Sequence, residues 1–437
     1  MNPDEFSRRR RQLMRMMGKG NIAILPAAQP RMRNRDVQYP YRQDSDFYYL
    51  TGFSEPEAVA VLAPGRAGGE YLLFCRDRDP QRETWDGTRA GPANAVSQFG
   101  ADEALSIGKV DDVLPKIIAA SERLYYTMGA HPEFDQRLTG WLSALGSHGA
   151  AAAHTPDQFI AVDHFLHDLR LYKSREELLA MKRAGRIAVQ AHRRAMSICK
   201  PGLYEYQIEA EYMHEFHSQG GRPSYLPIVG SGPNSCILHY HANNRKLEDG
   251  DLLLVDAGCE YDYYASDVTR TWPVNGRFTS EQRAIYQVVL DAHAAAIAEV
   301  QPGNPWNQPH EAAVRAVTRG LKDLGLLEGS LANLLKTRAS QRFFMHRTGH
   351  WLGMDVHDVG DYRIAEEWRV LEPGMTLTVE PGIYIPAGSR GIAKQWWNIG
   401  VRIEDDVLVT RDGCEVMTRD LPVDPDAIEA MIGTAAR

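Results

Sequence analysis

Residues 252–258 read LLLVDAG, and residues 376–382 read TLTVEPG. In each, an apolar strand-like run ends on a carboxylate, with a glycine two positions beyond. Aliphatic runs of this kind belong in a buried sheet. A carboxylate at the same depth must be hydrogen-bonded, paired with a cation or protonated, because burial penalises its charge. The recurrence also suits two related half-domains.

Each run has a companion acid. In DLLLVDAGCEYDYYASDVTRTW (251–272), a hairpin turning near Tyr261 and Asp262 sets Asp256 opposite Asp267 on one face. In TLTVEPGIYIP, Glu380 shares a face with Thr376 and Thr378. In IGVRIEDDVLVT, Glu404 shares one with Arg402. Between the pairs lies FFMHRTGHWLGMDVHDVGDY, with His346, His350 and His357 among Gly349, Gly353 and Gly360. The glycines favour a loop wrapped closely around a site over a helical HxxxH metal motif. Four carboxylates and one imidazole can satisfy two divalent cations. Oxygen-dominated ligation favours a hard ion such as Mn²⁺ over structural Zn²⁺. One such acid alone is ordinarily a cap or a solvated strand end. The weight lies in the order Asp, Asp, His, Glu, Glu.

The chain of 437 residues exceeds one hydrophobic core. Residues 1–173 alternate short strands (NIAILPAA, EAVAVLAP, YLLFC) with helices, as a smaller α/β domain does. The alanine-rich stretch 146–159 reads as a loop. Ser174 with Glu176 and Glu177 starts a long helix. Residues 174–437 combine long helices with strand pairs, an α+β pattern. In the first helix Phe6, Leu13 and Met17 point inward, leaving Arg8 to Arg11 to solvent.

A net charge of −8 gives no reason to expect nucleic acid or an anionic membrane as partner. No apolar run approaches the roughly 20 residues of a membrane span. Five scattered cysteines without a CxxC pair fit free thiols in a reducing cytoplasm.

The blocks VDAGCEYDYYASDVTRTW, HRTGHWLGMDVHDVG, TVEPGIYI and VRIEDD resemble signatures of the pita-bread metallopeptidases, the family of methionine aminopeptidase, prolidase and aminopeptidase P. The resemblance spans the chain, and residues 39–62 resemble the leading domain of the aminopeptidase P branch. It implies a C-terminal pita-bread (creatinase/aminopeptidase-like) catalytic domain behind the smaller α/β domain. It makes Asp256, Asp267, His350, Glu380 and Glu404 the ligands of two divalent ions, with Asp267 and Glu404 bridging. It gives Glu380 the general-base role, directs His239 and His357 to the substrate with His346 nearby, and has Arg402 orient the carboxylates. It sets Trp85 and Asp36 at the border of the active site. The implied reaction releases the N-terminal residue of peptides with proline second, in a homodimer or homotetramer. A prolidase acting on Xaa-Pro dipeptides shares all five ligands. A creatinase-type enzyme or a silent binding module on this fold would lack the intact set. Trp396 and Trp397 depart from the family pattern and read as loop packing.

Overall fold

The computed structural model describes residues 1–147 and 155–434. The fold divides into two compact units, Met1–Leu169 and Arg170–Arg437.

The first unit is built on a six-stranded sheet. Its strands run Glu103–Ser106, Tyr71–Cys75, Val59–Leu62, Ile22–Pro26, Arg123–Tyr125 and Gln158–Ile160 in spatial order. The strand Ile22–Pro26 pairs antiparallel with Val59–Leu62 and parallel with Arg123–Tyr125. Its apolar residues Ile22, Ile24, Val59, Val61, Leu72 and Phe74 are all buried, as three continuous apolar runs require. Helices Val110–Ile118 and Pro132–Ser147 contribute Leu114, Ile118, Phe134 and Leu138 to the same core. Of the stretch expected as a loop, 146–159, residues 148–154 lie outside the described residues, and Gly146 and Ser147 end the helix Pro132–Ser147 instead. At its end Gln158 and Phe159 belong to the edge strand.

The first helix, Pro3–Met17, buries Phe6, Leu13 and Met17 as expected, but only part of its arginine run faces solvent. Arg9 and Arg10 are buried. Arg9 stacks over Tyr49 at 4.0 Å and donates to the Tyr49 carbonyl at 3.1 Å. Arg10 stacks over Tyr71 at 4.1 Å and donates to the Leu50 carbonyl at 2.8 Å. A planar guanidinium can lie on an aromatic face while its N–H groups reach carbonyls, which periodicity alone does not reveal.

In the second unit, a helix pair followed by strands occurs twice. Helices Arg175–Ile198 and Glu205–Ser218 precede the sheet Ile228–Ser231, Leu252–Asp256 and Thr269–Pro273. Helices Ser280–Ala298 and Gln308–Asp323 precede Thr376–Val379, Asp405–Val409 and Cys414–Val416. Gly382–Ile385 pairs with Ile399–Arg402. The first long helix starts in a full capping box between Ser174 and Glu177. Trp272, Trp351 and Tyr286 are fully buried in the core between helices and strands. Trp396 and Trp397 pack against its edge, and Trp397 donates to the Ile392 carbonyl at 3.0 Å, so both serve loop packing.

The hairpin turns one residue later than expected. Tyr261 pairs with Tyr264, and Asp262 and Tyr263 fill a two-residue turn with φ of 51° and 68°. Two consecutive positive φ values make the tight primed turn that matches strand twist. Asp256 therefore faces Thr269, not Asp267. The slip of two residues keeps Asp267 on the same side.

Arg270 is wholly buried behind this sheet. It donates to Asp405 at 2.8 Å and to the carbonyls of Glu404, Thr269, Leu421 and Pro422 at 2.6–3.1 Å. Removing one partner of a buried ion pair typically costs about 3–5 kcal/mol. Arg270→Ala should lower stability by about that amount in denaturant unfolding, with Asp405 left buried without its guanidinium partner.

Candidate metal centre and active site

The Asp256 strand and the Thr269 strand pair directly, and Thr269 also bridges to Glu404. One threonine thus stands between carboxylates from the two halves of the unit. Its hydroxyl donates to Glu404 Oε2 at 2.6 Å and accepts from Arg402 Nε at 3.2 Å. Arg402 in turn donates to Asp256 Oδ2 at 2.6 Å and to the Tyr384 hydroxyl at 2.8 Å. The Tyr225 hydroxyl bonds to Asp256 and, at 2.5 Å, to Asp267. The Asp267 amide donates to Asp406 at 3.1 Å, which holds the backbone that carries Asp267.

The histidine segment is a loop, zipped along the edge of Thr376–Val379. Thr378 donates its N–H to the His350 carbonyl at 3.0 Å, Leu352 donates to Thr376 at 3.1 Å, and Glu380 donates to Thr348 at 2.8 Å. The loop lies so close that a Cβ on Gly349 would meet the Thr378 carbonyl oxygen at 2.0 Å. A Cβ on Gly353 would meet Asp358 at 2.0 Å. Only glycine permits either approach. Asp358, next to His357, is buried between Lys173 at 3.0 Å and Arg170 at 2.6 Å. That ion cluster pins the far end of the loop.

His350 donates Nδ1–H to the Trp351 carbonyl at 2.9 Å. Its Nε2 therefore points at the acids, 3.3 Å from Asp267 and 3.7 Å from Glu380. Such an outer partner is what fixes a metal-ligating imidazole. Ligand atoms of Asp267, His350 and Glu404 all lie within 4.8 Å of one another. Asp256 and Glu380 line the same cavity, of about 500 Å³, together with His239, His346, His357 and Arg402. All nine second-unit residues expected at the site thus meet in one place. Trp85 and Asp36 lie in the first unit, exposed, and do not line this cavity.

The electrostatics fit cations. Burial raises the Glu404 carboxyl well above its ordinary range, and the neighbouring charges of Asp267 and Glu380 add to this. Burial raises Glu380 to about 7 although His350 and Arg402 oppose it. Burial raises Asp256 too, against the pull of Arg402. For Asp267 burial is outweighed by the hydrogen bond and charge of His350 together with the Tyr225 hydrogen bond and the charge of Arg402, and the carboxyl sits low. Burial alone would lower His350; the bond to Asp267 and the charge of Glu380 carry it up to about 9 instead. Oxygen donors in excess, one aimed imidazole and a deficit of positive charge are what a hard divalent cation satisfies.

Two histidines stay neutral. Burial takes His346 down to about 3, helped by the charge of Arg402. Its Nδ1–H donates to the Arg347 carbonyl at 2.7 Å, so its Nε2 accepts from the Tyr384 hydroxyl at 2.9 Å. Burial also lowers His357, whose ring meets His350 edge-on at 4.4 Å. His239 is exposed at the cavity mouth.

Sequence reasoning missed Tyr225, Thr269, Tyr384 and Asp406. Thr269 and Asp406 sit within two residues of expected ligands, and Tyr384 follows the second acid strand. Tyr225 carries no local signal, because only the tertiary fold brings it to the acids.

Removal of outer hydrogen-bond partners commonly costs 10–100-fold in metal affinity or activity. Thr269→Val should weaken metal binding by about 10–100-fold in calorimetric titration while far-UV dichroism stays unchanged. The metal-free protein should also lose stability as pH rises. A folded carboxyl near 7, against an ordinary 4.5, binds protons more tightly when folded, so its stabilising effect is lost between those values. Thermal unfolding in chelator should therefore fall from pH 5 to pH 8, and a saturating divalent cation should abolish that fall.

Comparison with known proteins agrees with this geometry. Residues 179–411 match the model of metallopeptidase family M24, and residues 6–125 match the aminopeptidase P N-terminal domain. A Xaa-Pro aminopeptidase of Escherichia coli is 43% identical over 435 residues, covering 99% of this chain and 98% of that protein. The structure of a Pseudomonas aeruginosa aminopeptidase superposes with a TM-score of 0.98 at 56% identity, covering 100% of this chain and 98% of that one. A zinc-substituted E. coli aminopeptidase P in complex with product gives 0.97 at 42% identity, covering 100% and 99%. With acids and imidazole gathered as such chemistry needs, and with likeness along its whole length, this chain belongs to metallopeptidase family M24.

Proposed function

We propose that the protein is a Xaa-Pro aminopeptidase, releasing the first residue of peptides that carry proline second. The observation that carries this reading is the convergence of Asp267, His350 and Glu404 within ligand distance, beside Asp256 and Glu380 in one cavity. Full-length likeness to enzymes named Xaa-Pro aminopeptidase supports the choice of substrate. Those five side chains would hold two divalent cations, with Mn²⁺ the ion that this oxygen-rich set favours. Bound there, the cations would supply an ionised water near neutral pH and polarise the scissile carbonyl.

The protein groups divide the remaining work. Glu380 takes the proton from water and returns it to the departing nitrogen. His357 and His239 donate hydrogen bonds to the carbonyl oxygen as its charge grows. Arg402, fixed by Asp256, Thr269 and Tyr384, keeps the carboxylates in register. A Xaa-Pro bond has no N–H, so its site needs apolar surface and no acceptor for that hydrogen. Trp306, Tyr362, Trp368 and Leu238 supply such surface in the cavity wall. Trp85 and Asp36 take part in substrate binding in this reading, on the family likeness of the leading domain.

The same reading takes the enzyme to work in a reducing cytoplasm, for which five free cysteines are the support. Among the described residues no helix is long and apolar enough to cross a membrane. A homodimer or homotetramer is expected, and sedimentation of the native protein measures it.

Chelated protein should regain activity with Mn²⁺ and cleave Xaa-Pro-Yaa peptides in preference to Xaa-Pro dipeptides, which a prolidase would favour. Glu380→Gln should lower turnover by about 10²–10⁴ while peptide binding persists. Unchanged turnover would remove Glu380 from the proton-transfer role.

A further inference from the structure

A second cavity, of about 650 Å³, shares His346, Arg347 and Trp368 with the catalytic one. Four arginines line it: Arg315, Arg338, Arg347 and Arg363. Among the described residues, none of their guanidiniums is paired with a carboxylate. The single acid in the lining, Glu311, is held by Asn307 at 2.5 Å. Glu366 and Glu367, on the turn next to Trp368, do not line it.

The arginines are arranged and not merely scattered. The guanidiniums of Arg347 and Arg363 lie 5.1 Å and 4.0 Å from the Trp368 ring centre, both over its face. Trp368 thus gathers two positive groups at the point where the cavities join. His310 hydrogen-bonds Thr348 at 2.8 Å and senses the same field: burial first, then the charges of Arg347 and Arg338, take it down to about 4. Four unpaired cations around one trough, in a chain with net charge −8, hold a positive potential that an anionic ligand would relieve.

An aminopeptidase admits its substrate by the free N-terminus. No chain precedes the first residue, so only the part beyond proline can extend out of the catalytic cavity. The trough is contiguous with that cavity. We propose that it is an extended subsite binding carboxylates of the peptide downstream of proline, so that acidic substrates are preferred. The carboxylate can come from an acidic side chain or from the peptide's own C-terminus, and both present the same group to guanidinium. The assignment rests on the peptidase reading above.

The test uses the full-length enzyme with Mn²⁺ at low salt. Ala-Pro-Glu-Ala, Ala-Pro-Gln-Ala and Ala-Pro-Lys-Ala are compared, each as free acid and as C-terminal amide. Solvent-exposed charge contacts of this kind are worth up to about five-fold in affinity. Among the amides, Glu should exceed Gln by about that factor in kcat/KM, chiefly through KM, with Lys below both. That outcome assigns the side chain; a similar gain of free acid over amide in the Gln peptide assigns the terminus. About 0.5 M salt should erase either gain by screening. The double variant Arg315→Gln, Arg338→Gln alters exposed residues outside the catalytic cavity. It should bring the carboxylate preference within about two-fold of parity and leave the neutral amidated peptide near the native rate. The proposal is overturned if neither carboxylate helps the native enzyme, or if the preference survives in the double variant. Failure to cleave even the neutral peptide would instead overturn the peptidase reading.

Discussion

Carboxylates that share one water-poor cavity repel one another. At about 4 Å, two unit charges cost each other about 4 kcal/mol in a medium of intermediate polarity. Asp256, Asp267, Glu380 and Glu404 line one cavity, with Arg402 and His350 as the cationic groups paired to them. Four ionised acids against two cations leave a deficit of two positive charges. The metal-free cluster meets it by holding protons, and so Glu404, Glu380 and Asp256 are raised. Divalent cations meet it better, because they take the place of protons without leaving lone pairs unsatisfied.

The rest of the second unit can be read as the frame for that cluster. Two helix-and-strand halves each end a strand on an acid, and Thr269 and Glu404 join them. Arg270 ties the same two backbones from behind. The histidine loop is laid along the Thr376 strand by backbone hydrogen bonds, and the Asp358 ion cluster closes its far end. Positions are thus set by sheet register and buried charge, which are stiff.

Much of this was legible because burial leaves a strong mark on sequence. An acid after LLLV or LTV breaks the apolar pattern, and glycines around His350 and His357 mark a loop pressed on its neighbour. The capping box at Ser174 and the long amphipathic helices were equally local signals. Register was less legible. Asp262 and Tyr263 lack the Asn-Gly signature of a primed turn, so the sequence pattern points one residue early. Arg9 and Arg10 read as solvated because charge usually is, while their carbonyl partners lie 40 residues on and the aromatic partner of Arg10, Tyr71, further still. Tyr225 could not be read at all, since its hydroxyl matters only after the fold has formed.

The proposed dinuclear centre draws on five side chains remote in sequence. Metal analysis of protein dialysed against Mn²⁺, with calorimetric titration of chelated protein, measures its occupancy. Two ions per chain are expected, falling to one or none in Asp267→Ala with the fold intact. Retention of no ion by the native protein, or full retention by that variant, would contradict it.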